Sequence, residues 1–193
     1  MKKDIILAGV GGQGILSIAA TIATAALDAG MHMKQAEVHG MSQRGGDVQS
    51  HLRISSKEIS SDLIPEGKVD LIIAVEPLES LRYLPMLSPD GWVITSMSHF
   101  KNIPNYPEEN VIAEKINSLP RHVALDADKI ARDLGSLRSA NMVVLGAAAQ
   151  YLDLGIDALE QAIRKIFNAK GEEVVKVNMD AFRAGLEVAR QSG

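Results

Sequence analysis

The sequence predicts a three-layer α/β/α fold, on three observations. Short apolar runs such as Ile5-Ile6-Leu7-Ala8 and Asp70-Leu71-Ile72-Ile73-Ala74-Val75 alternate with helical stretches. The run Gly9-Val10-Gly11-Gly12-Gln13-Gly14 stands between the first of them and a long Ala/Ile-rich segment. From residue 139 onward the pattern is helical throughout, so strands and helices alternate first and a helical part follows.

The first strand begins at residue 4 and ends at the glycines. The helix after it runs to about Asp28, with Ser17, Thr21, Thr24 and Asp28 as its polar stripe and so little charge elsewhere that most of it is expected to be buried. Gly30 ends it, and residues 31–38 form a second strand. A nucleotide-binding doubly wound fold would place a crossover helix next, because parallel strands need a long connection. Here the chain has only His39-Gly40-Met41-Ser42-Gln43-Arg44-Gly45-Gly46, and then Val48, Ser50, Leu52 and Ile54 alternate with Gln49, His51 and Arg53. Residues 48–54 therefore read as a half-buried strand. A polar turn over 55–58 leads into the apolar segment 59–64, and the two segments are expected to pair as an antiparallel hairpin.

Residues 70–75 are apolar enough for a strand buried on both faces at the sheet centre. Glu76-Pro77 starts a helix to about Tyr83, Pro89-Asp90-Gly91 reads as a turn, and residues 92–95 as the next strand. A loop over 98–107 precedes a helix at 109–118, a strand at 122–125 and a helix at 128–134. Asp126 and Asp128 stand as helix caps. The remaining helices are 139–152, one from Asp157 with Leu159, Ile163 and Ile166 on one face, and one from about Glu172. Asp157 with Glu160 matches a capping box. The expected architecture is a single domain over 1–193: a Rossmann-like mixed sheet with an antiparallel hairpin and a helical C-terminal part, 139–193.

The 193 residues are 46% hydrophobic, and 20 basic against 24 acidic residues leave a net charge of −4. That balance gives no broad attraction to nucleic acid or to an anionic membrane, so any anion site must be local. Cysteine is absent, which excludes disulfides, a thiol nucleophile and thiolate ligation of an iron–sulfur cluster by this chain. Neither the short apolar run after Lys2-Lys3 nor residues 139–152 can serve as a signal core or bilayer span, and a soluble cytoplasmic protein is expected. His32, His51, His99 and His122 show no metal-ligand spacing and read as surface or packing residues.

Two motifs carry chemistry. A strand, a glycine turn and a helix start make a phosphate cradle, because missing Cβ atoms admit a phosphate to the backbone and helix N–H groups point at it. Gly9, Gly11, Gly12, Gln13 and Gly14 are the candidate cofactor-binding residues; the same pattern can also serve turn geometry alone. Arg44 lies between Gln43 and two glycines, where its guanidinium could address phosphate or carboxylate. It could equally be a solvated surface arginine. Glu37 and His39 precede it at a strand's carboxyl end, where open α/β sheets place ligands.

Together, the glycine loop, the run Glu37-Val38-His39-Gly40-Met41-Ser42-Gln43-Arg44-Gly45-Gly46, the following segment 48–55, Glu76-Pro77 and Asn141-Met142-Val143-Val144-Leu145-Gly146 resemble the gamma subunit of 2-oxoacid:ferredoxin oxidoreductases. The resemblance is closest to the indolepyruvate-type beta subunit. It implies an accessory subunit of an enzyme that decarboxylates a 2-oxoacid, here an arylpyruvate such as indolepyruvate, reduces ferredoxin and passes the acyl group to coenzyme A. Thiamine diphosphate and iron–sulfur clusters would belong to a larger catalytic partner, in keeping with the absence of cysteine. The glycine loop would hold the charged end of coenzyme A. Glu37, His39, Gly40, Met41, Ser42, Gln43, Arg44, Gly45 and Gly46 would form the active-site interface, with Arg44 the one catalytic candidate. Two rivals remain. Glu37 lies 23 residues after Gly14 and could bind a ribose hydroxyl, as in a nicotinamide-dependent oxidoreductase, and a purely structural subunit would use both loops for assembly alone.

Overall fold

The computed structural model describes residues 1–39 and 45–191. In chain order its elements are β1 (Lys2–Val10), α1 (Ile15–Asp28), β2 (His32–His39), β3 (Asp47–Ser55), β4 (Val69–Ala74), α2 (Pro77–Arg82), β5 (Leu87–Ser96), α3 (Glu109–Asn117), β6 (His122–Leu125), α4 (Ala127–Asp133), α5 (Ala140–Ala148), α6 (Ile156–Phe167) and α7 (Glu172–Gln191). The six strands form one sheet in the order β2-β3-β1-β4-β5-β6. β1, β4, β5 and β6 run parallel, and β3 runs antiparallel to both β1 and β2.

Alternation along β1 divides the core. Ile5 and Leu7 face α1, α4, α5, α6 and α7, whereas Ile6 and Ala8 pack with Ile64, Ile72, Tyr83 and Val93 on the side of α2. All four of these β1 side chains are fully buried, as expected of a central strand covered on both faces. The chain crosses on one face between β1 and β2 and on the other between β4 and β5, so β1 and β4 meet at a topological switch point. The carboxyl ends of neighbouring parallel strands part there and leave a crevice.

Helix α5 is buried over residues 141–148 and lies directly against α7. A Cβ at Gly146 would run into the Phe182 carbonyl, and one at Gly185 into that of Val143. Only glycine at both positions lets the two backbones approach this closely.

Four expectations are corrected. The hairpin is β2 with β3, His39 pairing with Val48, and residues 59–64 form no strand. Ile59 and Ile64 are buried, but between them the backbone is held by side chains: Arg53 Nη1 donates to the carbonyls of Ser61 and Leu63, and the Ile64 N–H donates to His51 Nδ1. Pro89-Asp90-Gly91 makes no turn; it lies inside β5, where Leu87 pairs with Val69 and Trp92 with Leu71 across a bulge. Gly91 makes this possible, since a Cβ there would stand 2.8 Å from the Val69 carbonyl oxygen. Asp157 and Glu160 form no capping box. Helix α6 starts a residue earlier behind Gly155, whose φ is 79°, and Glu160 instead accepts two hydrogen bonds from Arg183 at 2.7 and 2.8 Å. Finally, the helix expected over 139–152 is α only to Ala148 and continues as a single 3₁₀ turn.

Candidate functional site

At the carboxyl end of β1 the glycine loop is clipped shut by its own glutamine. The Val10 N–H donates to Gln13 Oε1 at 2.8 Å, and the Gln13 N–H donates back to the Val10 carbonyl at 3.2 Å. Gly12 and Gly14 have φ of 100° and 79°, backbone that L side chains seldom adopt. Gly14 directly precedes α1, so the first helical N–H groups lie at the loop. Those of Gly12, Gly14, Ile15 and Leu16 have no hydrogen-bond partner among the described residues. A Cβ on Gly12 would meet nothing within 4 Å, so this side of the loop is open.

Two distant segments brace the loop. Asn141, at the start of α5, donates from Nδ2 to the Gly14 carbonyl at 3.0 Å while its Oδ1 accepts the Met142 N–H, which leaves no space for a side chain at residue 14. The Gly11 N–H donates to the Gly46 carbonyl at 2.8 Å, and Asn102 Nδ2 donates to the Gly45 carbonyl at 2.8 Å. Gly9, Gly11, Gly12, Gln13 and Gly14 are thus joined to Gly45 and Gly46. Glu37 and His39 lie on β2, separated from β1 by β3. Gly40, Met41, Ser42, Gln43 and Arg44, expected at the active-site interface, lie outside the described residues.

The crevice forms a cleft of about 470 Å³ between the glycine loop, Val75, Ser96, Phe100, Arg138 and Asn141. Glu76, buried beside it, organises the loop that carries Phe100. Its Oε2 caps α2 by accepting the Glu79 N–H at 2.9 Å, and its Oε1 accepts the Phe100 N–H at 3.3 Å and the Tyr106 hydroxyl. Burial, and then the hydrogen bond to Glu76, raise the Tyr106 phenol above its ordinary pKa, so it remains a donor. On the opposite wall, burial and then the charge of Asp126 raise the Asp128 carboxyl. Asp126 is a cap, as expected, accepting the Lys129 N–H at 2.9 Å, whereas Asp128, expected as a second cap, lies inside the first turn of α4.

Nothing local in the sequence signals that Asn141 and Arg138 line the cleft or that Asn102 holds the Gly45 carbonyl. Glu76 was legible as a helix start, but nothing local signals its tie to Tyr106.

A glycine loop at the switch point of a mixed sheet, open on one side at a helix start, defines an α/β protein of the Rossmann-like class. Residues 4–188 match the pyruvate ferredoxin/flavodoxin oxidoreductase family, and the chain belongs to that family. It is 38% identical to the indolepyruvate oxidoreductase subunit IorB of Archaeoglobus fulgidus over 98% of this chain and 96% of that one. Among solved structures, the gamma subunit of a keto/oxoacid ferredoxin oxidoreductase from Geobacter sulfurreducens shares the fold with a TM-score of 0.72 at 24% identity, covering 98% of this chain and 99% of that one. The 2-oxoglutarate:ferredoxin oxidoreductase of Magnetococcus marinus, solved with 2-oxoglutarate, coenzyme A and succinyl-CoA bound, has a TM-score of 0.77 at 23% identity. The match covers 98% of this chain and 31% of that longer one.

Proposed function

We propose that the chain is the accessory subunit of a 2-oxoacid:ferredoxin oxidoreductase acting on an arylpyruvate such as indolepyruvate. The net reaction converts the 2-oxoacid and coenzyme A into acyl-CoA, carbon dioxide and a proton, with two electrons passed to ferredoxin. Thiamine diphosphate and iron–sulfur clusters on a larger cytoplasmic partner supply the decarboxylation and electron transfer. Family membership and the indolepyruvate oxidoreductase relative support this reading.

The chain's own work is to hold coenzyme A and to complete the active-site interface. The observation that carries this is the Gly11–Gly46 hydrogen bond, which joins an anion cradle to the loop bearing Arg44. A charged carrier held on the first would have its reactive end directed towards a partner docked on the second. Exposed apolar side chains gather at the same end of the sheet: Leu16 opens α1, Val38 is near the end of β2, and Phe100 and Leu137 line the cleft. Arg44 would face substrate or cofactor across this interface. No helix among the described residues is long and apolar enough to cross a membrane.

Coenzyme A titration of the co-purified complex tests the reading. Asparagine enters left-handed backbone more readily than other side chains, so at Gly12, with its φ of 100°, Gly12→Asn is the least disruptive way to place a side chain in the open face of the loop. We expect coenzyme A to bind at least about tenfold more weakly. Unchanged affinity in an assembled complex would favour a subunit whose loop serves assembly only.

A further inference from the structure

The loop over residues 98–107 stands between the buried Glu76 carboxylate and the Gly45 carbonyl, and its hydrogen bonds follow one another along the chain. Ser98 fixes the start, its hydroxyl donating to Asp126 and accepting the Asp128 N–H at 3.2 Å. Glu76, only 1% exposed, then holds the loop at two points, the Phe100 N–H and the Tyr106 hydroxyl. Between those points Asn102 donates to the Gly45 carbonyl at 2.8 Å. A turn over 103–106, closed by the Tyr106 N–H on the Ile103 carbonyl at 3.3 Å with Pro104 at its second position, brings the chain back to Glu76. The outer side of the loop is held differently. Lys101 meets Glu109 at 2.9 Å with both side chains more than half exposed, an ion pair of the kind that contributes little.

We propose that Glu76 and Tyr106 are positioning residues for the oxidoreductase reaction: pinning the loop on both sides of Asn102, they aim its amide at Gly45 and so place the end of the interface segment. This rests on the reading of residues 37–46 as the active-site interface and adds what positions it. The three side chains act in series, Glu76 on Tyr106 and the Phe100 N–H, the pinned loop on Asn102, and Asn102 on one carbonyl. Fixing the stretch 101–105 at both ends removes backbone freedom that would otherwise be lost when Asn102 binds Gly45. Tyr106 is the natural place to cut the series. It gives its one proton to Glu76, and its oxygen takes the Nδ1 proton of His99 at 3.1 Å. Phenylalanine there keeps the ring and its edge-on contact with His99 but makes neither hydrogen bond.

A double-mutant cycle on kcat, in the co-purified complex with saturating substrates, tests the series. Tyr106→Phe and Asn102→Ala are each expected to lower kcat about tenfold, the scale of a small misplacement away from the chemistry. KM for coenzyme A stays in place, because the Phe100 N–H remains on Glu76 and the cleft wall is kept. The double variant falls no further than either single one, since the two residues act through the same bond. Lys101→Gln, on the exposed side of the same loop, leaves kcat at the parent level, and thermal melting of the same samples separates misplacement from unfolding. Multiplying losses, or a fall for Asn102→Ala alone, would show that Tyr106 does not act through Asn102; the proposal then fails and the interface reading stands. A rise in KM for coenzyme A in place of the fall in kcat would put the loop's work in the cleft and overturn the proposal equally. If Asn102→Ala and Arg44→Ala both leave kcat and partner affinity unchanged, the interface reading fails as well.

Discussion

At the scale of single residues, the side chains that matter most here hold backbone rather than ligand. Asn141, Gln13, Asn102 and Glu76 each satisfy main-chain groups of loops that otherwise have only water to bond, and so fix the conformation of the loops around the cleft. His51, on β3, does the same and carries a pH dependence. It is buried, and Nδ1 accepts the Ile64 N–H at 3.1 Å, which requires a neutral ring protonated at Nε2. Burial depresses its pKa below 6.5; nearby Asp62 opposes the shift and Arg53 adds to it. A folded value below the unfolded one means that the stabilisation is complete above about pH 6.5 and is lost as pH falls through the folded pKa. Thermal unfolding should therefore show a step of falling stability between pH 7 and 5 that is absent from His51→Gln, whose amide oxygen can still accept. Carboxylates such as Glu160, held low by Arg183, titrate below that window. Superimposable pH curves for the two proteins would remove His51 from this role.

At the scale of elements, the packing of α5 on α7 decides how firmly the cleft is built. Gly146 and Gly185 bring the backbones into contact, and α5 in turn presents Asn141 to Gly14. Gly146→Ala must push the helices apart, at a cost of about 3 kcal/mol. That corresponds to a fall of roughly 6–12 °C in Tm for a chain of this size, and a Tm within 2 °C of the parent would show that the helices separate without strain. Elements whose own composition decides their state were legible from sequence: β4 from its unbroken apolar run, α1 from its glycine start and small residues, and the absence of a crossover helix before β3. Those decided by distant partners were not. Residues 59–64 have the apolar content of a strand, but Arg53 and His51 take up their backbone groups. Pro89-Asp90-Gly91 has turn chemistry, yet β4 holds it in the sheet through a bulge. The site divides the same way. The glycine loop announced itself, whereas its brace Asn141 is 127 residues away from Gly14 in the chain, a separation at which only the fold shows the pairing.

At the scale of the whole molecule, several exposed apolar side chains stand at one end of the sheet. Without cysteine the chain has no thiolates to hold an iron–sulfur cluster, in keeping with the proposed larger partner that would carry the clusters. Val38 and Leu137 are both exposed at the carboxyl end of the sheet, by the loop and the cleft, whereas Leu27 is equally exposed at the far end of α1. Solvated apolar side chains at a docking surface gain from burial only if that surface is covered; one lying outside it gains nothing. A glutamate at either interface position would have to be desolvated on assembly. Val38→Glu and Leu137→Glu should each weaken co-purification with the larger subunit, by about tenfold in affinity, while the free chain keeps its Tm. Leu27→Glu, the same change of chemistry at the opposite end, should leave assembly at the parent level. Equal loss for all three would mean that the partner covers the whole helical face, and equal indifference that it docks away from the carboxyl end, which would separate the coenzyme cleft from the chemistry it is proposed to serve.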